Sequence, residues 1–140
     1  MNYRKDMERS IEFIEMNILE KLTAQKIADE IGYSLYHYCR IFLACYGMSV
    51  MGYVRKRRLT LAHIDLIAGE KVLDVALKYD FETASGFSKA FRKEFDLSPK
   101  IFIKREKSLK REPKIRNQKA LKVAGYKAKV QLEEIGRAHV

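Results

Sequence analysis

The sequence predicts an all-α fold of seven helices, arranged as two small subdomains joined by one long central helix. Three observations predict it. Apolar residues recur at i, i+3, i+4 and i+7 in several short stretches, the spacing that lines one face of a helix. Ser and Thr stand just ahead of these stretches, where a side-chain oxygen can accept from the open N–H groups of a first turn. The third is an internal duplication. Ala24, Ile27, Ala28 and Ile31 are echoed 48 positions later by Val72, Val75, Ala76 and Tyr79. After one inserted residue, Tyr38, Phe42, Tyr46, Ser49 and Tyr53 are echoed 49 positions later by Phe87, Phe91, Phe95, Ser98 and Phe102.

In chain order, a first helix is expected over Met7–Leu22, with Ile11, Ile14, Ile18 and Leu22 along one side to brace the first of the two repeated units. Thr23 caps the second, Ala24–Ile31, and Gly32 ends it in a left-handed conformation. Ser34 caps the third, which runs from Leu35 to about Tyr46. Tyr38, Phe42 and Tyr46, with Ile41, should face the core, leaving Leu35, Tyr36, Cys39, Arg40 and Leu43 around the other side. His37 reads as a turn or core residue. Ser49 caps a long fourth helix, Val50–Ala68, that ends before Gly69. Val54, Leu61, Ala62 and Leu66 are its expected buried positions, and Arg55-Lys56-Arg57-Arg58 forms a basic belt, either solvated or in contact with phosphate. Such a helix spans about 28 Å at 1.5 Å per residue.

The fifth helix begins at Val72, and Asp80-Phe81 answers to Gly32-Tyr33 as the turn. On the sixth, Phe87, Phe91 and Phe95 stack on one face, while Ser85, Ser88, Lys89, Arg92 and Lys93 occupy much of the other. Ser98-Pro99 opens a short seventh helix in the positions that suit a cap and a first-turn proline. Each unit is therefore a short helix, a tight turn and a longer helix, followed by a Ser-capped helix start. That is a helix-turn-helix with a supporting helix. Two copies are too few for a solenoid, which needs three or more.

With 140 residues and 47% hydrophobic content, the chain suits one globular domain with an appendage. No apolar run approaches membrane-spanning length, and the start, MNYRKDMERS, lacks the apolar stretch of a secretion signal. The net charge of +10 favours a polyanionic partner. Residues 104–119, however, hold eight basic residues against Glu106 and Glu112, so the bulk charge says less than the duplicated motif does. Cys39 and Cys45 lie six apart on one helix and point to different sides, which disfavours a disulfide. There is no CxxC, no HExxH and no cluster of histidines, so no metal or other cofactor is expected. Two thiols without a bridge fit a reducing cytoplasm.

Three stretches, in this order and spacing, carry a family resemblance: IADEIGYSLYHYCRIF (27–42), YVRKRRLTLA (53–62) and FETASGFSKAFRKEFDLSP (81–99). Over roughly Ser10–Arg105 the chain resembles the AraC/XylS-type transcription regulators. The resemblance implies a sequence-specific binder of double-stranded DNA acting on the nucleoid. The sequence shows no catalytic constellation and no membrane-spanning run, so neither enzyme activity nor membrane association is expected. Two readers in one chain imply a monomer on DNA. The resemblance also implies activation of transcription, with RNA polymerase as a further partner, and two reading helices in successive major grooves, about 34 Å apart. The residues it places at the DNA are Leu35, Tyr36, Cys39 and Arg40 on the first reader and Ala84, Ser85, Ser88, Lys89, Arg92 and Lys93 on the second. The chemistry agrees for Arg40, whose planar fork matches both acceptors of guanine, and for Tyr36, whose ring suits a thymine methyl. Cys39 is a poor base reader. Ala84, Ser85 and Gly86 are small where some relatives carry long amides, so the second reader is expected to hold mainly phosphate through Lys89, Arg92 and helix N-terminal amides. Asp80 stands where glycine is usual.

This reading places the DNA-binding domain at 7–105 and a basic linker at 106–119. Residues 120–134 read as a strand and look like the start of an effector-binding domain. The terminal IGRAHV (135–140) looks like translated sequencing-adapter DNA. Two other classes stand beside it. One is an alkyl-transfer protein with this DNA module, using Cys39 or Cys45 as nucleophile, although neither has a paired base in the local sequence. The other is a helical protein-interaction module with loose affinity for nucleic acid.

Overall fold

The computed structural model describes residues 2–110. Most of the expected linker, the strand-like stretch and the terminal IGRAHV lie outside the described residues. The expected all-α architecture is present, with seven helices: α1 (Tyr3–Met16), α2 (Ala24–Ile31), α3 (Leu35–Tyr46), α4 (Val50–Ile67), α5 (Val72–Lys78), α6 (Ala84–Phe95) and α7 (Pro99–Lys110). The described residues fall into two compact units, 2–57 and 58–110, and α4 supplies residues to both.

In the first unit α1 is displaced from its expected span. Asn2 caps it by accepting from the Lys5 N–H at 3.1 Å, so the helix starts four residues before Met7. Asn17 ends it, its amide donating to the Phe13 carbonyl at 2.8 Å. Ile18 and Leu22 are buried all the same. The apolar spacing that suggested helix as far as Leu22 belongs, past Met16, to a turn packed on the same core. Met7, Ile14, Ile27, Ala28, Tyr38, Phe42, Tyr53 and Val54 fill that core. Thr23 and Ser34 accept from the N–H groups of Lys26 and His37 at 3.1 and 3.2 Å, which sets where α2 and α3 begin. At the turn between them, Gly32 has φ 78°, and the Tyr33 N–H reaches back to the Ala28 carbonyl at 2.9 Å.

The second unit repeats the plan around Leu59, Ala62, Leu66, Val75, Ala76, Tyr79, Phe87, Phe91 and Phe102. Its turn is built from Asp80, at φ 66°, with the Phe81 N–H on the Ala76 carbonyl at 3.0 Å. Thr83 caps α6 through the Gly86 N–H at 2.9 Å, and Ser98 caps α7 through the Ile101 N–H at 3.3 Å. α7 is not short. It continues to Lys110, so residues 106–110 of the stretch read as a linker are helical.

Candidate nucleic-acid interface

α3 is held in rotation by its inner face. The rings of Tyr38 and Phe42 meet at 5.8 Å and those of Phe42 and Tyr46 at 4.7 Å, and all three residues are buried. That turns the expected contact residues outward: Tyr36 is 74% exposed and Leu35 40%, Arg40 is exposed, and Cys39 is half-buried between them. Leu43, one turn beyond Cys39, is 54% exposed and lies on the same face. His37 braces the helix start, stacked on Tyr33 at 5.1 Å and edge-on to Tyr3 at 5.6 Å.

α6 is held in the same way, with Phe87 to Phe91 at 5.7 Å and Phe91 to Phe95 at 4.6 Å. Ser85, Lys89, Arg92 and Lys93 are exposed, and Ala84 and Ser88 are half-buried. Each unit thus carries its own expected contact residues on a single open helix face.

The basic belt on α4 divides instead of acting together. Arg55 is exposed and Lys56 half-buried. Arg57 donates two hydrogen bonds to Glu15, Nε to Oε1 at 2.7 Å and Nη2 to Oε2 at 3.0 Å. The Tyr53 hydroxyl donates to the same Oε1 at 2.8 Å. Burial, reinforced by the Glu15 charge and hydrogen bond, pushes the Tyr53 phenol far above its ordinary range. Arg58 is only 7% exposed, with Nη1 3.8 Å from Asp80 Oδ2. Burial lowers its pKa, and the Asp80 charge works against that. Four consecutive positions on a helix point in four directions about 100° apart, so a run of cations cannot all face one partner. Arg57 and Arg58 are held by carboxylates, each within its own unit. The sequence reading missed this because Glu15 and Asp80 stand far from them in the chain.

The thiols divide as expected onto different parts of α3, both half-buried and free. Burial raises the Cys45 pKa, the opposite of what an activated nucleophile needs. No helix among the described residues is long and apolar enough to cross a membrane.

Two capped helix-turn-helix units, each with one open polar or aromatic face on its second helix, define a double helix-turn-helix protein. The comparisons agree. Residues 27–105 match the family model described as a helix-turn-helix domain. The chain belongs to the AraC/XylS-type helix-turn-helix family. It is 34% identical over 116 residues to the uncharacterized HTH-type transcriptional regulator YbfP of Bacillus subtilis, a match that covers 80% of this chain and 39% of that protein. The chain therefore spans about two fifths of that relative's length. It is 34% identical over 91 residues to the HTH-type transcriptional activator AarP of Providencia stuartii, covering 64% of this chain and 67% of AarP. A crystal structure of a transcriptional regulator with an AraC-type DNA-binding domain, from Chromobacterium violaceum, superposes with a TM-score of 0.68. It is 24% identical and covers 71% of this chain and 90% of that one, a likeness of fold.

Proposed function

We propose that this chain is a transcription regulator that binds double-stranded DNA at a specific sequence, with α3 and α6 each entering a major groove. The observation that supports this most directly is the pair of open faces on equivalent helices of a duplicated helix-turn-helix. Arg40 reads guanine; Tyr36, with Leu35 and Cys39 beside it, contacts base edges. Lys89, Arg92 and Lys93, with Ala84, Ser85 and Ser88, hold mainly backbone phosphate. Because both readers lie in one chain, a monomer on an asymmetric site is the simplest arrangement. The names of YbfP and AarP support regulation and, for AarP, activation. Contact with RNA polymerase follows from the activator reading, and the site of action is the nucleoid in the cytoplasm. Binding is favoured over alkyl transfer through Cys45 because burial drives that thiol away from its reactive form.

Selection from random duplexes followed by footprinting tests this reading. The expected result is one enriched asymmetric site, two protected segments about 10 bp apart and one chain per site. A palindrome holding two chains would sink the monomer; no enrichment over scrambled DNA would sink sequence-specific binding altogether.

A further inference from the structure

The outer face of α3 is unusual for a surface that meets a polyanion. Leu35, Tyr36 and Leu43 are 40%, 74% and 54% exposed, whereas no large apolar side chain is exposed on α6. Leu35, Cys39 and Leu43 follow one another four residues apart and so form an apolar ridge, with Tyr36 and Arg40 along its flank. The counterparts in the second unit are Ala84, Ser88 and Arg92 for the ridge, with Ser85 and Lys89 on the flank. The same scaffold therefore presents an apolar ridge once and a hydroxylated, cationic row once.

In the major groove almost every exposed edge is a donor or an acceptor, and covering those with hydrocarbon costs free energy. The exception is the C5-methyl group of thymine, which 5-methylcytosine also carries. From Leu35 to Leu43 the helix rises about 12 Å, the length of three to four base pairs. Resting on the DNA-binding reading above, we propose that α3 selects pyrimidine C5-methyl groups: Leu35, Cys39 and Leu43, with the Tyr36 ring, pack on methyls spread over three to four base pairs that flank the guanine read by Arg40. The first half-site is accordingly thymine-rich around one guanine, and the second carries no such requirement.

The test uses the full chain and its selected duplex. Each thymine in one protected segment is replaced by deoxyuridine, which removes the methyl and leaves base pairing intact; the other segment is then treated likewise. The segment under α3, identified as the one whose base preference relaxes in Arg40→Ala, should lose about fourfold in affinity per contacted methyl. The segment under α6 should change less than about twofold, and Leu35→Ala with Leu43→Ala should erase the difference between thymine and uracil. Where methylating a cytosine of the α3 segment tightens binding, the methyl at that position is supplied by 5-methylcytosine. Equal affinity for thymine and uracil duplexes, with Arg40-dependent specificity intact, would overturn methyl selection and leave the DNA reading standing. If the two leucine substitutions left DNA binding unchanged and abolished self-association, the ridge would be a protein contact and the proposal wrong. Absence of any sequence preference in the unmodified protein would instead overturn the parent reading.

Discussion

α3 and α6 are each 12 residues long, begin at a hydroxyl cap and end at a residue in the left-handed conformation, yet their outer faces share almost no chemistry. Inside, the correspondence is close: Tyr38 and Phe42 against Phe87 and Phe91, all fully buried. Outside, Leu35, Tyr36, Cys39, Arg40 and Leu43 stand opposite Ala84, Ser85, Ser88, Lys89 and Arg92. Packing constrains only the buried face of an amphipathic helix, so the outer face is open to whatever its ligand requires.

The left-handed positions differ as consistently. At the equivalent turns of the repeated motifs, the first uses Gly32 and Gly47 and the second Asp80 and Asp96, while Gly69 closes α4 between them. Aspartate tolerates this conformation better than most residues because its short side chain bonds locally, but it remains costlier than glycine. Asp80 also gains the Arg58 ion pair at 3.8 Å. The polar interior contacts differ too. The first unit places Glu15 beneath Tyr53 and Arg57, whereas the second places Asp65 beneath Tyr79 at 2.6 Å and Lys78 at 2.9 Å. Burial by itself would raise the Asp65 carboxyl. The Tyr79 and Lys78 hydrogen bonds and the Lys78 charge outweigh it and hold the group below its ordinary range.

The largest effects should come from the most alike positions. Phe42→Ala and Phe91→Ala each remove a fully buried ring and should each destabilise by about 3–5 kcal/mol in urea melts. A gap of more than about 2 kcal/mol between them would break the structural equivalence of the units.

Next are the positions expected to differ in function. Arg40→Ala should weaken specific binding by about 1–3 kcal/mol and relax preference at one base pair. Lys89→Ala should weaken binding to all sequences and reduce the salt slope by about one unit. Swapped outcomes in a salt titration would assign base reading to α6.

The reciprocal exchange at the ends of the two helices should be smaller and opposite in sign. Gly47→Asp should cost about 1 kcal/mol and Asp96→Gly should gain a similar or smaller amount, because only the residue's own backbone preference changes. Two losses would mean that Asp96 makes a contact worth more than its conformational cost. Tyr38→Phe brings the first unit to the composition of the second. Among the described residues the buried Tyr38 hydroxyl has no hydrogen-bond partner of good geometry, its neighbour Ser10 donating instead to the Met7 carbonyl at 2.7 Å. Removing the hydroxyl should leave stability unchanged or raise it by up to about 1 kcal/mol; a clear loss in thermal melts would show that the hydroxyl is satisfied.

The smallest effect concerns pH. His63 packs on Phe102 at 4.5 Å and Phe95 at 5.1 Å, and burial lowers its pKa from 6.5. The unfolded chain therefore takes up a proton below about pH 6.5 that the folded chain resists, and stability falls with pH in that range. The Asp65 depression acts only below about pH 4, so the two contributions separate. His63→Phe keeps a ring in place and should flatten the slope between pH 5 and 7. An unchanged slope would place the titrating group elsewhere.

The parts of this molecule legible in the sequence were those set by neighbours within a few positions. Thr23, Ser34, Ser49 and Ser98 each cap the helix that they immediately precede, and Gly32 and Asp80 turn the chain where the duplication placed them. The aromatic stripes gave the rotation of α3 and α6, and hence the side on which Arg40 and Lys89 stand, because residues four apart share a face whatever they pack against. Local signals failed where a longer-range contact set the outcome. The period through Ile18 and Leu22 continued past the end of α1 because a turn can bury side chains on the same core as a helix. The fate of Arg57 and Arg58 was likewise settled by tertiary structure: Glu15 lies 42 residues from Arg57, and Asp80 is brought to Arg58 only by the packing of the second unit. A cation's charge is written in the sequence, but its role depends on which carboxylate the folded chain places within reach of it.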